Sequence, residues 1–185
     1  GVYDFVEQTS PPANNVDIDR LATEEDYLFD QLTRLTEEER DALKAPESTI
    51  AENLQRILAA VPEGLGIEDS LYSVQWAAIQ ERIRMLVNDE AGSLVVRAPT
   101  SSGKTAVYFI STTLVALENE TRAFLPFPTT TLTDGMLRRL ITFVDSLRRE
   151  SDIDVTCGVL MGKDTNPTEI GLTREEDVYL DAAEL

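Results

Sequence analysis

The chain has 185 residues, 42% of them apolar, which suffices for one sizeable core and fits one to two domains. A single cysteine and no histidine exclude a disulfide framework and a cysteine- or histidine-based zinc site. The net charge of −18, from 34 acidic against 16 basic residues, excludes a uniformly basic surface of the kind that holds nucleic acid by charge alone.

Residues 1 to 20 contain Ser10-Pro11-Pro12 and little periodicity, so an extended lead-in is expected there. From Leu21 the pattern turns helical. Leu21, Leu28, Leu32 and Leu35 fall on one face, and Thr36 with Glu39 forms a capping box that opens a short helix stopped by Pro46. A second box, Thr49 with Glu52, opens a helix striped by Ile50, Leu54, Ile57 and Leu58 and closed by Pro62 to Gly66. Residues 21 to 66 thus read as an acidic helical appendage, its outward charges a solvated face.

After Gly66 the rhythm becomes alternating helix and strand. Trp76, Ile79, Ile83, Leu86 and Val87 mark a helix ended by Asn88 to Gly92, and Ser93-Leu-Val-Val-Arg97 predicts a short buried strand. A small-residue loop follows, then a helix with Ala106, Phe109, Ile110, Leu114 and Leu117 in register. Arg122 to Phe127 predicts a second strand, Met136, Leu140, Phe143, Val144 and Leu147 a third helix, and Ile153 to Met161 a third strand. Strands and helices alternating with such short connections imply a parallel α/β sheet with right-handed crossovers over residues 67 to 162. Residues 163 to 185 form a polar tail whose placement the pattern leaves open.

The chemistry concentrates between the first of these strands and the next helix. Ala98-Pro99-Thr100-Ser101-Ser102-Gly103-Lys104-Thr105 matches the P-loop pattern, with alanine in place of its first glycine. Small residues at Thr100, Ser101, Ser102 and Gly103 let main-chain N–H groups converge on phosphate oxygens at a helix N-terminus. Lys104 would reach the β and γ phosphates of ATP, and the Thr105 hydroxyl would be one ligand of a hydrated Mg²⁺. These two residues are the catalytic candidates. A chance Gly-Lys-Thr at a helix start is the bland alternative, and the strand, loop and helix setting weighs against it.

In this form, Ala-Pro-Thr-x-x-Gly-Lys-Thr resembles motif I of superfamily 2 helicases, the DEAD/DEAH-box branch included. Leu71-Tyr72-Ser73-Val74-Gln75 resembles the Q-motif region of the same family, which implies that the Gln75 amide reads the adenine edge of ATP. An amide suits that role because it carries both a donor and an acceptor. Phe127-Pro128-Thr129-Thr130-Thr131-Leu132 is similar to motif Ia, which implies that Pro128, Thr129 and Thr130 contact the phosphate backbone of DNA or RNA. Thr130 stands where the family commonly has arginine, which removes one charge from that contact. Arg138, Arg139, Arg148 and Arg149 on the next helix would extend a basic track, or would simply be solvated.

The resemblance spans Leu71 to about Gly162. It implies a P-loop NTPase (RecA-like) parallel sheet flanked by helices, incomplete, with the helical appendage before it. It also implies an ATP-dependent helicase or translocase whose remaining machinery, an Asp-Glu pair and a second RecA-like domain, lies outside these residues, so that the segment alone is expected to be inactive. The start without Met and the ending at Leu185 fit a piece of a longer protein.

Two other readings stand beside this one. A P-loop transferase of the tRNA-prenylating kind also uses Pro-Thr-x-Ser-Gly-Lys, but normally near its N-terminus. A non-catalytic nucleotide-dependent interaction module is the second.

No run approaches the ~20 apolar residues of a membrane span, and Gly1 to Asp4 lacks the pattern of a secretion signal, so a cytoplasmic protein without a membrane partner is expected. Only Lys44, Lys104 and Lys163 are lysines. An acidic, lysine-poor balance suits a halophilic, salt-rich cytoplasm, where screening shortens to about 3 Å at molar salt. The alternative is that the acidic appendage biases the average.

Overall fold

The computed structural model describes residues 2–7, 15–98, 103–121, 123, 125, 130–155, 157–158 and 179–180. Helices dominate. In chain order they are α1 (Ile18–Thr23), α2 (Glu25–Gln31), α3 (Glu37–Lys44), α4 (Ile50–Ala59), α5 (Val61–Leu65), α6 (Ser73–Val87), α7 (Lys104–Glu118) and α8 (Thr130–Ser151). The strands are β1 (Val2–Glu7), β2 (Val16–Asp17), β3 (Ser70–Leu71), β4 (Gly92–Arg97), β5 (Cys157–Gly158) and β6 (Tyr179–Leu180).

The helix starts follow local chemistry. Asp17 accepts from the Arg20 backbone N–H at 2.9 Å and caps α1, so the first helix begins three residues before Leu21. The Thr36 box is formed: its hydroxyl accepts from Glu39 N at 3.2 Å and the Glu39 carboxylate accepts from Thr36 N at 2.8 Å. The expected Thr49 box is not formed. The Thr49 hydroxyl instead donates to Glu118 at the end of α7, at 2.9 Å, and Asn53 donates to the same carboxylate at 2.7 Å. A long-range acceptor has taken the cap, tying α4 to α7.

Leu21, Leu28, Leu32 and Leu35 are all buried, although a break at Glu24 divides their run into two short helices. They join Leu54, Ile57, Leu58, Trp76, Ile79, Phe109, Phe143 and Leu147 in a single apolar cluster that runs from Val16 to Ile153. The sequence division near residue 66 therefore does not separate two cores. Each such leucine contributes about 1.5–3 kcal/mol by leaving water. Phe109 of α7 stacks on Phe143 of α8, with centroids 5.8 Å apart. Gly64 is the close-approach point of α5 on α8, where a Cβ would lie 2.8 Å from the Phe143 ring.

Polar pins reinforce these contacts. The Arg56 guanidinium on α4 donates to Ser151 O at 3.0 Å and to Asp152 O at 2.7 Å, capping the end of α8 where Asp152 turns to φ +52°. The Trp76 indole N–H donates to Gln31 O at 2.8 Å, and Glu81 accepts from both Arg34 and Arg84. Burial pushes the Glu81 carboxyl up, but hydrogen bonds from Arg84 and Arg34 outweigh it and leave it below the usual carboxylate range.

The sheet departs most from expectation. β4 forms as predicted, but its parallel partner is β1, paired Val2 with Gly92 through Glu7 with Arg97. The lead-in is thus a strand in part, because Val2-Tyr-Asp-Phe-Val-Glu7 is rich in β-favouring residues and β4 offers an open edge. Nor is β4 buried on both faces: Leu94 and Val96 pack with Ala98 against Val74, Ala78 and Val107, while Val95 is 43% exposed. A helical layer covers only one side of it among the described residues. Ala123 and Leu125, within the expected second strand, are not in strand conformation, and the rest of that run lies outside the described residues. Of the third, among the described residues Ile153 to Val155 is irregular and β5 is a strand, paired in parallel with β6. No helix among the described residues is long and apolar enough to cross a membrane.

Candidate functional site

The loop between β4 and α7 is held at both ends. At its start, Ala98 packs with Leu94 and Val96 over Val74, Ala78 and Val107, which anchors the C-terminal end of the strand. At its end, Gly103 takes the left-handed conformation, φ +71° and ψ +28°, immediately before α7 begins at Lys104. Glycine is required there twice over. An L-residue is strained at that φ, and a Cβ would sit 2.2 Å from Gln75 Nε2.

Gln75 lies in the first turn of α6 and is only 2% exposed. Its Nε2 donates to Gly103 O at 2.9 Å, and its Oε1 accepts from Tyr72 N at 2.7 Å. The amide therefore joins the start of α6 to the loop, with Ala106 N adding a second hydrogen bond to Gly103 O at 3.1 Å. Among the described residues, one N–H and one lone pair of the amide are left for another group.

Lys104 folds back so that its ammonium donates to Ala98 O at 2.9 Å, closing the loop from one end to the other. It is half-buried, as is Thr105. A cleft of about 510 Å³ opens beside them between the first turn of α7, the end of α5 and the middle of α8. Its lining includes Gly66, Gly103, Thr105, Arg138, Arg139 and Thr142. That volume lies within the range of roughly 300–1,000 Å³ typical of small-molecule sites.

Of the residues singled out by sequence, the structure brings Gln75, Gly103, Lys104 and Thr105 together. Thr100, Ser101 and Ser102 lie outside the described residues, as do Pro128 and Thr129. Thr130 is the first residue of α8. Of the four arginines of α8, Arg148 pairs with Asp154 at 2.8 Å and Arg149 with Asp145 at 2.9 Å, whereas Arg138 and Arg139 line the cleft beside Gly103 and Thr105.

Sequence reasoning took Gly64-Leu-Gly66 as a helix stop and missed that the end of α5 forms a wall of this cleft. The available signal was the two glycines themselves: Gly64 packs on Phe143 and Gly66 is left-handed at φ +65°.

The arrangement fits a phosphate-bearing ligand with its divalent cation. A strand end, a left-handed glycine, an ammonium and a hydroxyl at the start of a fifteen-residue helix supply main-chain amides, a point charge and an oxygen ligand in one place. The family model described as DEAD/DEAH box helicase matches residues 36–180 of the chain. No curated protein and no solved structure matches it.

Proposed function

Because the chain belongs to the DEAD/DEAH box helicase family, we propose that it is the nucleotide-binding part of an ATP-dependent helicase or translocase acting on DNA or RNA. The observation that carries this reading is the Gly103-Lys104-Thr105 corner: left-handed glycine, α7 N-terminus and inward-folded ammonium, buttressed by Gln75.

In this reading the main-chain amides of Thr100 to Gly103 cradle the terminal phosphates, and Lys104 moves from Ala98 O onto the β and γ oxygens. A polyphosphate is a stronger partner for an ammonium than a carbonyl is. The Thr105 hydroxyl would be a ligand of Mg²⁺, which when bound neutralises phosphate charge. Gln75 offers its remaining N–H and lone pair to the base while it keeps hold of Gly103 O. Pro128, Thr129 and Thr130 serve the nucleic-acid backbone through hydroxyls, amides and the α8 dipole. A second RecA-like domain completes the hydrolytic machinery.

Binding of a fluorescent ATP analogue, followed by anisotropy, tests the reading. Lys104→Ala is expected to reduce affinity beyond detection at micromolar protein. Affinity equal to that of the wild type would remove the assignment. The tRNA-prenylating alternative is left without support by the family match, which includes the helices before the loop.

A further inference from the structure

Asn53 of α4 is bonded on both sides. Its Nδ2 donates to the Glu118 carboxylate at the end of α7, at 2.7 Å, and its Oδ1 accepts from Arg56 Nη1 at 3.3 Å. Arg56 in turn donates to Ser151 O and Asp152 O at the end of α8, and the Ser151 hydroxyl returns a hydrogen bond to Arg56 O. A continuous run of hydrogen bonds therefore crosses α4 from the end of α7 to the end of α8. Asn53, Arg56 and Glu118 are all half-buried. The opposite ends of the two long helices are Lys104, in the P-loop corner, and Thr130, in the proposed nucleic-acid contact.

The two helices also touch between these ends, where Phe109 stacks on Phe143 with centroids 5.8 Å apart. A contact of that kind alone leaves a pivot, whereas a second one at the far ends fixes the crossing angle. Phe143 lies thirteen residues after Thr130 and eight before Ser151, roughly 20 Å and 12 Å of helix. A displacement at Ser151 therefore reaches Thr130 enlarged by about one and a half times. We infer that Asn53 is a positioning residue: through Glu118 and Arg56 it sets the P-loop corner and the start of α8 relative to one another, and so carries linkage between nucleotide and nucleic acid. This inference rests on the proposed function and extends it to α4, a helix that touches neither ligand. Misplacement by about 1 Å at a functional group is enough to matter.

The full chain is titrated with mant-ATP, with and without a saturating single-stranded oligonucleotide, and the ratio of the two affinities is the readout. Wild type is expected to give a ratio of at least about fivefold, the lower end of coupling between sites. Asn53→Asp keeps an acceptor for Arg56 but sets a carboxylate against Glu118, and is expected to bring the ratio below about twofold. Glu118→Ala, which breaks the run from the α7 side, is expected to do the same. Adding Glu118→Gln to Asn53→Asp supplies an amide that donates to the new carboxylate, and is expected to restore at least about threefold. Unfolding curves for each variant check that a loss is not one of structure.

A wild-type ratio in either Asn53→Asp or Glu118→Ala overturns the inference, as does a ratio of one in the wild type. A loss in Asn53→Asp that the reversed pair does not restore overturns it as well, because the loss then comes from α4 itself and not from its bond to α7. Equal mant-ATP binding by wild type and Lys104→Ala brings down the P-loop reading, a result distinct from these.

Discussion

The side-chain amide of Gln75 bridges two segments 28 residues apart in sequence, donating to Gly103 O at 2.9 Å while it accepts from Tyr72 N at 2.7 Å. Because the residue is almost wholly buried, truncation leaves both partners without replacement by water. Gln75→Ala is expected to cost about 1–3 kcal/mol in urea unfolding. Gln75→Glu, which places an acceptor against the Gly103 carbonyl, is expected to cost at least as much at pH 7. An unchanged midpoint in both would show that the bridge does not hold the loop.

Gly103 separates conformational from steric cost less cleanly, because both act against any side chain. Gly103→Ala is expected to lose about 1–2 kcal/mol from the left-handed backbone alone, with the displaced Gln75 amide adding to it. The double variant Gly103→Ala with Gln75→Ala is expected to be less destabilised than the sum of the singles, since the clash is removed with the amide. Strict additivity would contradict the contact.

Glu81 sets an acid limit. Its pKa is held below the usual 4.5 by Arg84 and Arg34 despite burial, so its contribution is present above that value and is lost as pH falls through the lower folded value. Glu81→Gln is expected to destabilise the chain by about 1–3 kcal/mol at pH 7 and to flatten the stability loss below about pH 4.5. Parallel pH profiles of wild type and variant would assign acid unfolding elsewhere.

The Cys157 thiol is buried and pushed up to about 11 by that burial. At pH 8 the thiolate is then scarce, and reaction with an aromatic disulfide reagent is expected to be at least about tenfold slower in the folded chain than in urea. Equal rates would mean that the end of α8 and β5 opens readily.

Salt tests the meaning of the −18 charge. Raising KCl from 0.1 to 1 M shortens screening from about 10 Å to 3 Å, and the melting temperature is expected to climb across that range if the acidic surface belongs to a salt-rich cytoplasm. Full stability at the lowest salt would attribute the charge to composition alone.

The amphipathic stripes of α6, α7 and α8 were legible in the sequence because helical periodicity is a local signal, and so was the Thr36 box, whose partners lie three residues apart. What stayed hidden was decided at a distance. Thr49 shows the same local pattern as Thr36, yet Glu118 takes its hydroxyl. The pairing of β1 with β4 spans about ninety residues, and no local feature of Val2 to Glu7 names its partner. The Gly103, Lys104 and Thr105 corner could be placed from the loop pattern, whereas Arg139 needed α8 to be packed on α5 before its neighbourhood was defined.

Arg56 gives this packing a practical edge. Its guanidinium closes the last carbonyls of α8, so any truncation that begins after α4 strips those groups of their donor and lays bare the leucine-rich underside of α7 and α8. A fragment trimmed to the loop and its flanking helices is expected to precipitate, and because β1 pairs with β4 the useful cloning boundary falls before Val2, well upstream of the first recognisable motif.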